Sequence, residues 1–156
     1  MKKGKQQLVS SGFTLLYNKR PASYQGSTKS KSAYENGVAS CYRRKYKGKL
    51  AGDALYGNVF YFFKEDVQLD ADNISKPTWD GLVGVAIIDD KQITIRSAAS
   101  IDLSKQDMMV VDMDNIPTDI VYDWMNSLFE NDHTVYIEVG TIATYNNLFN
   151  MNHLWK

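Results

Sequence analysis

Residues 58–64, NVFYFFK, are β-branched and aromatic almost throughout, the composition of a strand. Around this run the hydrophobic period keeps changing. Residues 12–18 and the segment HTVYIEVG at 133–140 are further strand signals. In residues 30–47, by contrast, Tyr34, Val38, Cys41 and Tyr42 recur at i, i+4, i+7 and i+8, one face of a helix. A second amphipathic helix opens at Asn115-Ile116-Pro117 and keeps Ile120, Val121, Trp124, Leu128 and Phe129 at helical spacing. Strands and helices interleave with no internal boundary, and 156 residues suffice to close one core. The expected class is α+β: a single domain, a mixed β-sheet with helices packed on it. Residues 1–12 read as a basic N-terminal arm, and the polar-aromatic end of the chain as a tail.

The middle of the chain is harder to divide. DADNISKPTWDGLVG reads as a strand end entering a helix capped by Asp72 or Asn73, with Pro77 acceptable only in the first turn. VAIIDDKQITIRSA reads as a hairpin, with a strand on each side of a tight Asp89-Asp90 turn. MMVVDM, residues 108–113, is a further candidate strand.

The formal net charge of zero conceals a division along the chain. Residues 1–50 hold twelve Lys and Arg against the single acid Glu35, a net of +11. The remaining 106 residues hold six basic and seventeen acidic side chains, a net of −11. Lys19, Arg20, Lys29 and Lys31 flank a Ser/Gly-rich loop, and Arg43, Arg44, Lys45, Lys47 and Lys49 gather where the first helix ends. Such a cluster suits the phosphates of a nucleic acid, with Tyr24, Tyr34, Tyr42 and Tyr46 interleaved. Tyr34 and Tyr42 share the apolar helix face and are expected in the core.

The chemistry concentrates in residues 70–93. Asp70 and Asp72 stand two apart, and on an extended backbone both carboxylates share a face. Paired anionic oxygens are what Mg²⁺ takes while keeping waters for a substrate phosphate to displace. Lys76 follows Asp72 by four residues, Asp80 follows by four more and can hold the lysine, and Asp89-Asp90 offers a third carboxylate. Three carboxylates and a lysine make a minimal centre for metal-dependent phosphodiester hydrolysis. Asp-x-Asp by itself is a weak signal, because aspartate also caps helices. Asp112-Met113-Asp114 before the second amphipathic helix is read that way.

Asp70-Ala71-Asp72-Asn73-Ile74-Ser75-Lys76, then Asp80-Gly81-Leu82, then Asp89-Asp90-Lys91-Gln92-Ile93 resembles the signature of the RusA-type Holliday junction resolvases. The resemblance implies a Mg²⁺-dependent endonuclease, with Mn²⁺ as an alternative, acting as a homodimer on branched DNA at four-way junctions. It implies Asp70, Asp72 and Asp90 as catalytic metal ligands, Lys76 as the catalytic lysine, and Asn73, Asp80 and Asp89 in support. It also implies a nuclease domain over residues 13–140 with an insertion near 97–132, and a tail over 141–156. A C2 dimer suits a substrate with two equivalent cleavage points. A nuclease with broader taste for flaps and other branches, and a non-catalytic DNA-binding protein keeping the fold, are the alternatives.

The rest of the chain offers less. Cys41 alone excludes an intrachain disulfide and a thiolate zinc site, and suits packing in a reducing, cytoplasmic setting. No run is apolar for long enough to be a signal peptide or membrane span. His133 and His153 lack ligand-spaced partners, and Trp79, Trp124 and Trp155 are expected as core or interface anchors.

Overall fold

β4 (Leu55–Phe63) is buried at each of its nine positions, and the rest of the fold follows from covering both its faces. The computed structural model describes residues 6–65, 69–105, 112–114 and 116–145. In chain order the other elements are β1 (Gln7–Leu8), β2 (Gly12–Tyr17), α1 (Thr28–Lys45), β3 (Tyr46–Lys47), α2 (Ala71–Leu82), β5 (Ile93–Asp102), α3 (Thr118–Glu130) and β6 (His133–Thr141). Four strands form one sheet in the order β2-β6-β4-β5. β6 runs antiparallel to both its neighbours, whereas β4 and β5 are parallel. A parallel pair needs a crossover, and α2 supplies it. The architecture is α+β with a mixed sheet, as the alternating periods predict.

α1 and α2 cover one face of the sheet. Leu55, Val59, Tyr61 and Phe63 meet Tyr34, Val38, Tyr42, Ile74 and Trp79 in a single buried cluster. α3 covers the other face, where Trp124 and Leu128 close over Phe60, Phe62 and Tyr136. Tyr34 and Tyr42 are therefore core residues, as their shared helix face predicts.

Two glycines set how closely α2 seats. A Cβ at Gly57 on β4 would lie 2.8 Å from the Trp79 ring and 2.9 Å from the Ile93 side chain. A Cβ at Gly81 would lie 2.9 Å from the Glu35 carbonyl oxygen of α1. Trp79 thus lies directly on the sheet, and the two helices cross with their backbones near contact.

Several expectations change. The hairpin around Asp89-Asp90 is absent, because β5 runs parallel to β4 and the chain must first return from α2 to the entry edge of the sheet. Val83 and Ile87 make only an isolated bridge, and Gly84 turns the chain with φ +84°. Ala86 and Ile87 are buried because they fill the core beneath α2, with no strand partner required. Asp89 caps a short 3-10 turn, Asp90–Gln92, that leads into β5. Residues 97–102, placed within the expected insertion, complete β5. Of the N-terminal arm residues 6–12 are described, and there β1 pairs with β3 and Val9 is buried. The candidate strand at 108–113 falls mostly outside the described residues, as do His153 and Trp155.

Gly57→Ala is expected to lower stability by about 1–3 kcal/mol, because Trp79 or Ile93 must leave its place. A reduced urea midpoint with unchanged helical circular dichroism would show it.

Candidate active site

α2 begins where Asp70, in an extended conformation (φ −70°, ψ 147°), takes the N-cap position expected of Asp72 or Asn73. The Asp70 carboxylate makes no capping hydrogen bond. Asp72 lies in the first turn, where the helix dipole favours an anion. Helical spacing then carries Asp72, Lys76 and Asp80 down one outward face. Ile74, Pro77, Thr78 and Trp79 fill the inward face. The first carboxylate pair therefore spans a helix N-terminus instead of sharing the face of a strand.

Pro77 sits in the helix interior, beyond the first turn expected for it. It has no N–H to give the Asn73 carbonyl one turn back. The Tyr24 N–H donates to that carbonyl instead, at 2.9 Å. A breach in the helix ladder thereby becomes an anchor for the loop between β2 and α1. Buried Thr78 secures the same region: its hydroxyl hydrogen-bonds the Tyr34 hydroxyl and donates to the Ile74 carbonyl, both at 2.8 Å. The role of Asn73 visible here is carried by its backbone.

Lys76 is the hub of the charged face. Its ammonium lies 2.6 Å from an Asp80 oxygen and 2.9 Å from an Asp90 oxygen. Hydrogen bonds to Asp80 and then Asp90 hold the Lys76 pKa above its ordinary value. The Lys76 hydrogen bond is also the main cause that keeps Asp90 below the usual carboxylate range, with Asp89 and Arg96 adding to it. The Asp90 turn is fastened at its base. The Asp89 carboxylate accepts from the Lys91 N–H at 2.9 Å, and Gln92 Oε1 accepts from the Ile88 N–H at 2.7 Å. Gln92 Nε2 donates to the Gly52 carbonyl at 2.6 Å. Asp89 thus supports the site as a cap, and buried Gln92 is a structural member of the motif.

The structure brings Lys76, Asp80 and Asp90 into contact, with Asp72 one turn along the same helix. Asp70 and Asp72 are exposed, and among the described residues neither carboxylate has a hydrogen bond or ion pair. Also among the described residues, no three His, Cys, Asp or Glu side chains stand close enough to hold a metal ion together. The donor chemistry of Asp70, Asp72 and Asp90 fits a hard divalent cation, being anionic oxygen throughout with two carboxylates free to bind.

The basic residues divide into two sets. Exposed Lys19 and Arg20 follow β2, and Lys29 and half-buried Lys31 lie in the first turn of α1, on the segment that Tyr24 fastens to α2. Exposed Arg43, Arg44 and Lys45 end α1, and Lys47 and Lys49 follow; the rise of the helix puts Arg43 about 18 Å from Lys31, whereas Lys19 reaches alongside the helix near Cys41, whose thiol Arg44 hydrogen-bonds. Among the described residues none of these cations pairs with an acid. Tyr24 is 54% exposed with the Lys31 ammonium 5.5 Å from its ring, whereas Tyr46 is buried.

Arg96 escaped the sequence reading. It lies on β5, three residues past Ile93, and its Nη2 donates to the Asp90 carbonyl at 2.7 Å. No period or motif singles it out, since the contact depends on how β5 enters the sheet.

A helix presenting Asp-x-Asp at its N-terminus and a lysine bridging two further aspartates has the make-up of a phosphodiester-cleaving centre. The model of the RusA endodeoxyribonuclease family matches residues 17–107, more than half of the chain, and the chain belongs to that family. No curated protein matches it. The match runs from the end of β2 through β5 and takes in all the candidate site residues from Lys19 to Asp90. Membership brings the family's activity, endonucleolytic cleavage of DNA of the Holliday junction type. Among the described residues no helix is long and apolar enough to cross a membrane.

Two variants test this geometry. Lys76→Met removes the main cause of the low Asp90 pKa, so Asp90 should titrate higher in the variant than in the wild type. A group whose folded pKa is depressed stabilises the fold above the unfolded pKa and ceases to do so as pH falls through the folded one. The acid-induced loss of stability below about pH 4 should therefore be shallower in the variant, as NMR titration and acid denaturation would report. Pro77→Ala restores an N–H that competes for the Asn73 carbonyl. Hydrogen exchange at Tyr24 should then accelerate about fivefold, the worth of one hydrogen bond near 1 kcal/mol.

Proposed function

We propose that this protein is a Mg²⁺-dependent, structure-selective endonuclease that nicks four-way DNA junctions as a homodimer, in recombination and repair. The observation that carries the reading is Lys76 held by Asp80 and Asp90 on the helix that starts with Asp70 and Asp72. Asp70, Asp72 and Asp90 would hold the cation, which when bound activates a water for attack and offsets charge on the phosphoryl group. Mn²⁺ meets the same oxygen donors.

The chain's own residues do the rest. Asp80 keeps the Lys76 ammonium on the outer face of α2, where it can meet a non-bridging phosphate oxygen. Lys76 is held in its charged form by Asp80 and Asp90, and Asp90 in its ionised form by Lys76, so this pair is set for chemistry at neutral pH. Lys19, Arg20, Lys29 and Lys31, fastened to α2 through Tyr24, supply sequence-independent attraction for the backbone close to the cleavage point. Arg43, Arg44, Lys45 and Lys47 extend that basic surface along α1 and give the backbone of the substrate further phosphate contacts.

Labelled four-way junction, flap and duplex, incubated with and without Mg²⁺, test the reading. Paired symmetric nicks confined to the junction are expected. Cleavage of all branched forms alike would instead indicate the broader nuclease, and binding without cleavage in either Mg²⁺ or Mn²⁺ would overturn the enzyme. Asp72→Asn should reduce cleavage by more than about 100-fold, beyond the usual cost of losing an outer-shell partner, while junction affinity holds.

A further inference from the structure

β5 carries one residue more than β4 where the two strands begin. Leu55 pairs with Ile93, but the next residue, Tyr56, pairs with Ile95, so Thr94 is bulged out. The Thr94 hydroxyl donates to the Leu55 carbonyl at 3.3 Å within that bulge. An extra residue inverts the alternation beyond it. Ile93 and Arg96 therefore share the sheet face covered by α2, although their spacing in a regular strand would put them on opposite faces. Arg96 is opposite Gly57, on the side where Trp79 lies.

There the guanidinium folds back over the Asp90–Gln92 turn. Nε donates to the Ile93 carbonyl at 3.0 Å and Nη2 to the Asp90 carbonyl at 2.7 Å. The Asp90 carboxylate is 3.6 Å from the same nitrogen, a looser contact than its 2.9 Å one to Lys76. Arg96 thus grips the backbone that bears the carboxylate and leaves the oxygens mainly to Lys76. Its rigid planar fork reaches two carbonyls at once, which a lysine ammonium on a flexible stem does far less well.

We propose that Arg96 is a positioning residue, delivered by the Thr94 bulge, that clamps the Asp90 peptide from above while Gln92 holds the turn from below. The clamp fixes the direction of the Asp90 carboxylate independently of the cation it faces. The proposal rests on Asp90 belonging to the reacting site, and it adds the residue that keeps it aimed.

The test compares wild type, Arg96→Ala and Arg96→Lys in three measurements. Hydrogen exchange of the turn amides at 90–92 is followed in metal-free protein. Mn²⁺ affinity is measured by electron paramagnetic resonance, and junction binding without metal by gel shift. Arg96→Ala should speed turn exchange and weaken Mn²⁺ binding, each by about tenfold or more, with junction affinity within about twofold of wild type. Arg96→Lys should restore neither, because one ammonium cannot span both carbonyls. Full rescue by lysine would mean that charge alone matters and would overturn the clamp. So would unchanged exchange in Arg96→Ala, or a loss of junction binding as large as the loss of Mn²⁺ affinity, which would make Arg96 a phosphate contact. If wild type binds no metal and cuts no DNA, the nuclease reading falls. The exchange measurement still decides the clamp.

Discussion

Trp79 resting on Gly57 is the contact on which the site depends. An indole can approach a central strand this closely only where that strand has no side chain, and β4 provides the gap at its third residue. With Trp79 fully buried there, the rotation of α2 about its axis is set. Asp72, Lys76 and Asp80 must then point outward, and Ile93, pressed against the same gap, ties the start of β5 to the same place. The large apolar contact does the positioning, and the charged groups on the far side inherit it. The division suits their energetics, since the Lys76 and Asp80 side chains are about a third or more exposed and such ion pairs contribute only about 0.2–1 kcal/mol.

The charge split along the chain becomes a spatial arrangement. Acidic groups gather at α2 and the turn before β5, where Lys76 and Arg96 partly offset them. Among the described residues none of the cations of the first fifty residues pairs with an acid, and Lys19, Arg20, Lys29 and Lys31 lie on the segment that the Tyr24 anchor joins to α2. Opposite charges that would annul each other on a mixed surface are kept on adjoining elements. One set can then attract phosphate and the other can take a cation. Pro77 serves this arrangement, because the carbonyl it deprives of a helical partner is the one that receives the loop.

Much of this was legible beforehand. The strand at 58–64, the helix that follows the basic loop and the amphipathic helix after Pro117 all appear close to where their periods put them, because period reports which face is buried. Lys76 with Asp80 was legible as an i, i+4 pair, and Asp90 was singled out by the motif. The hairpin was misread because Val85, Ala86 and Ile87 are apolar in succession. Short apolar runs do not say whether burial comes from strand pairing or from filling a core. Pro77 was misplaced because helix geometry alone forbids it, whereas a neighbouring segment supplied the missing donor.

Sequence alone determined the elements, the separation of charge and the types of side chain available for chemistry, since these depend on composition and spacing along the chain. Tertiary structure decided which of them meet. Parallel pairing of β4 and β5 required the crossover that stands α2 across the sheet. A single extra residue in β5 then turned Arg96 toward Asp90. Neither is written in local spacing, because a strand's partner and register are set by which surfaces become buried together, and burial is a property of the whole fold.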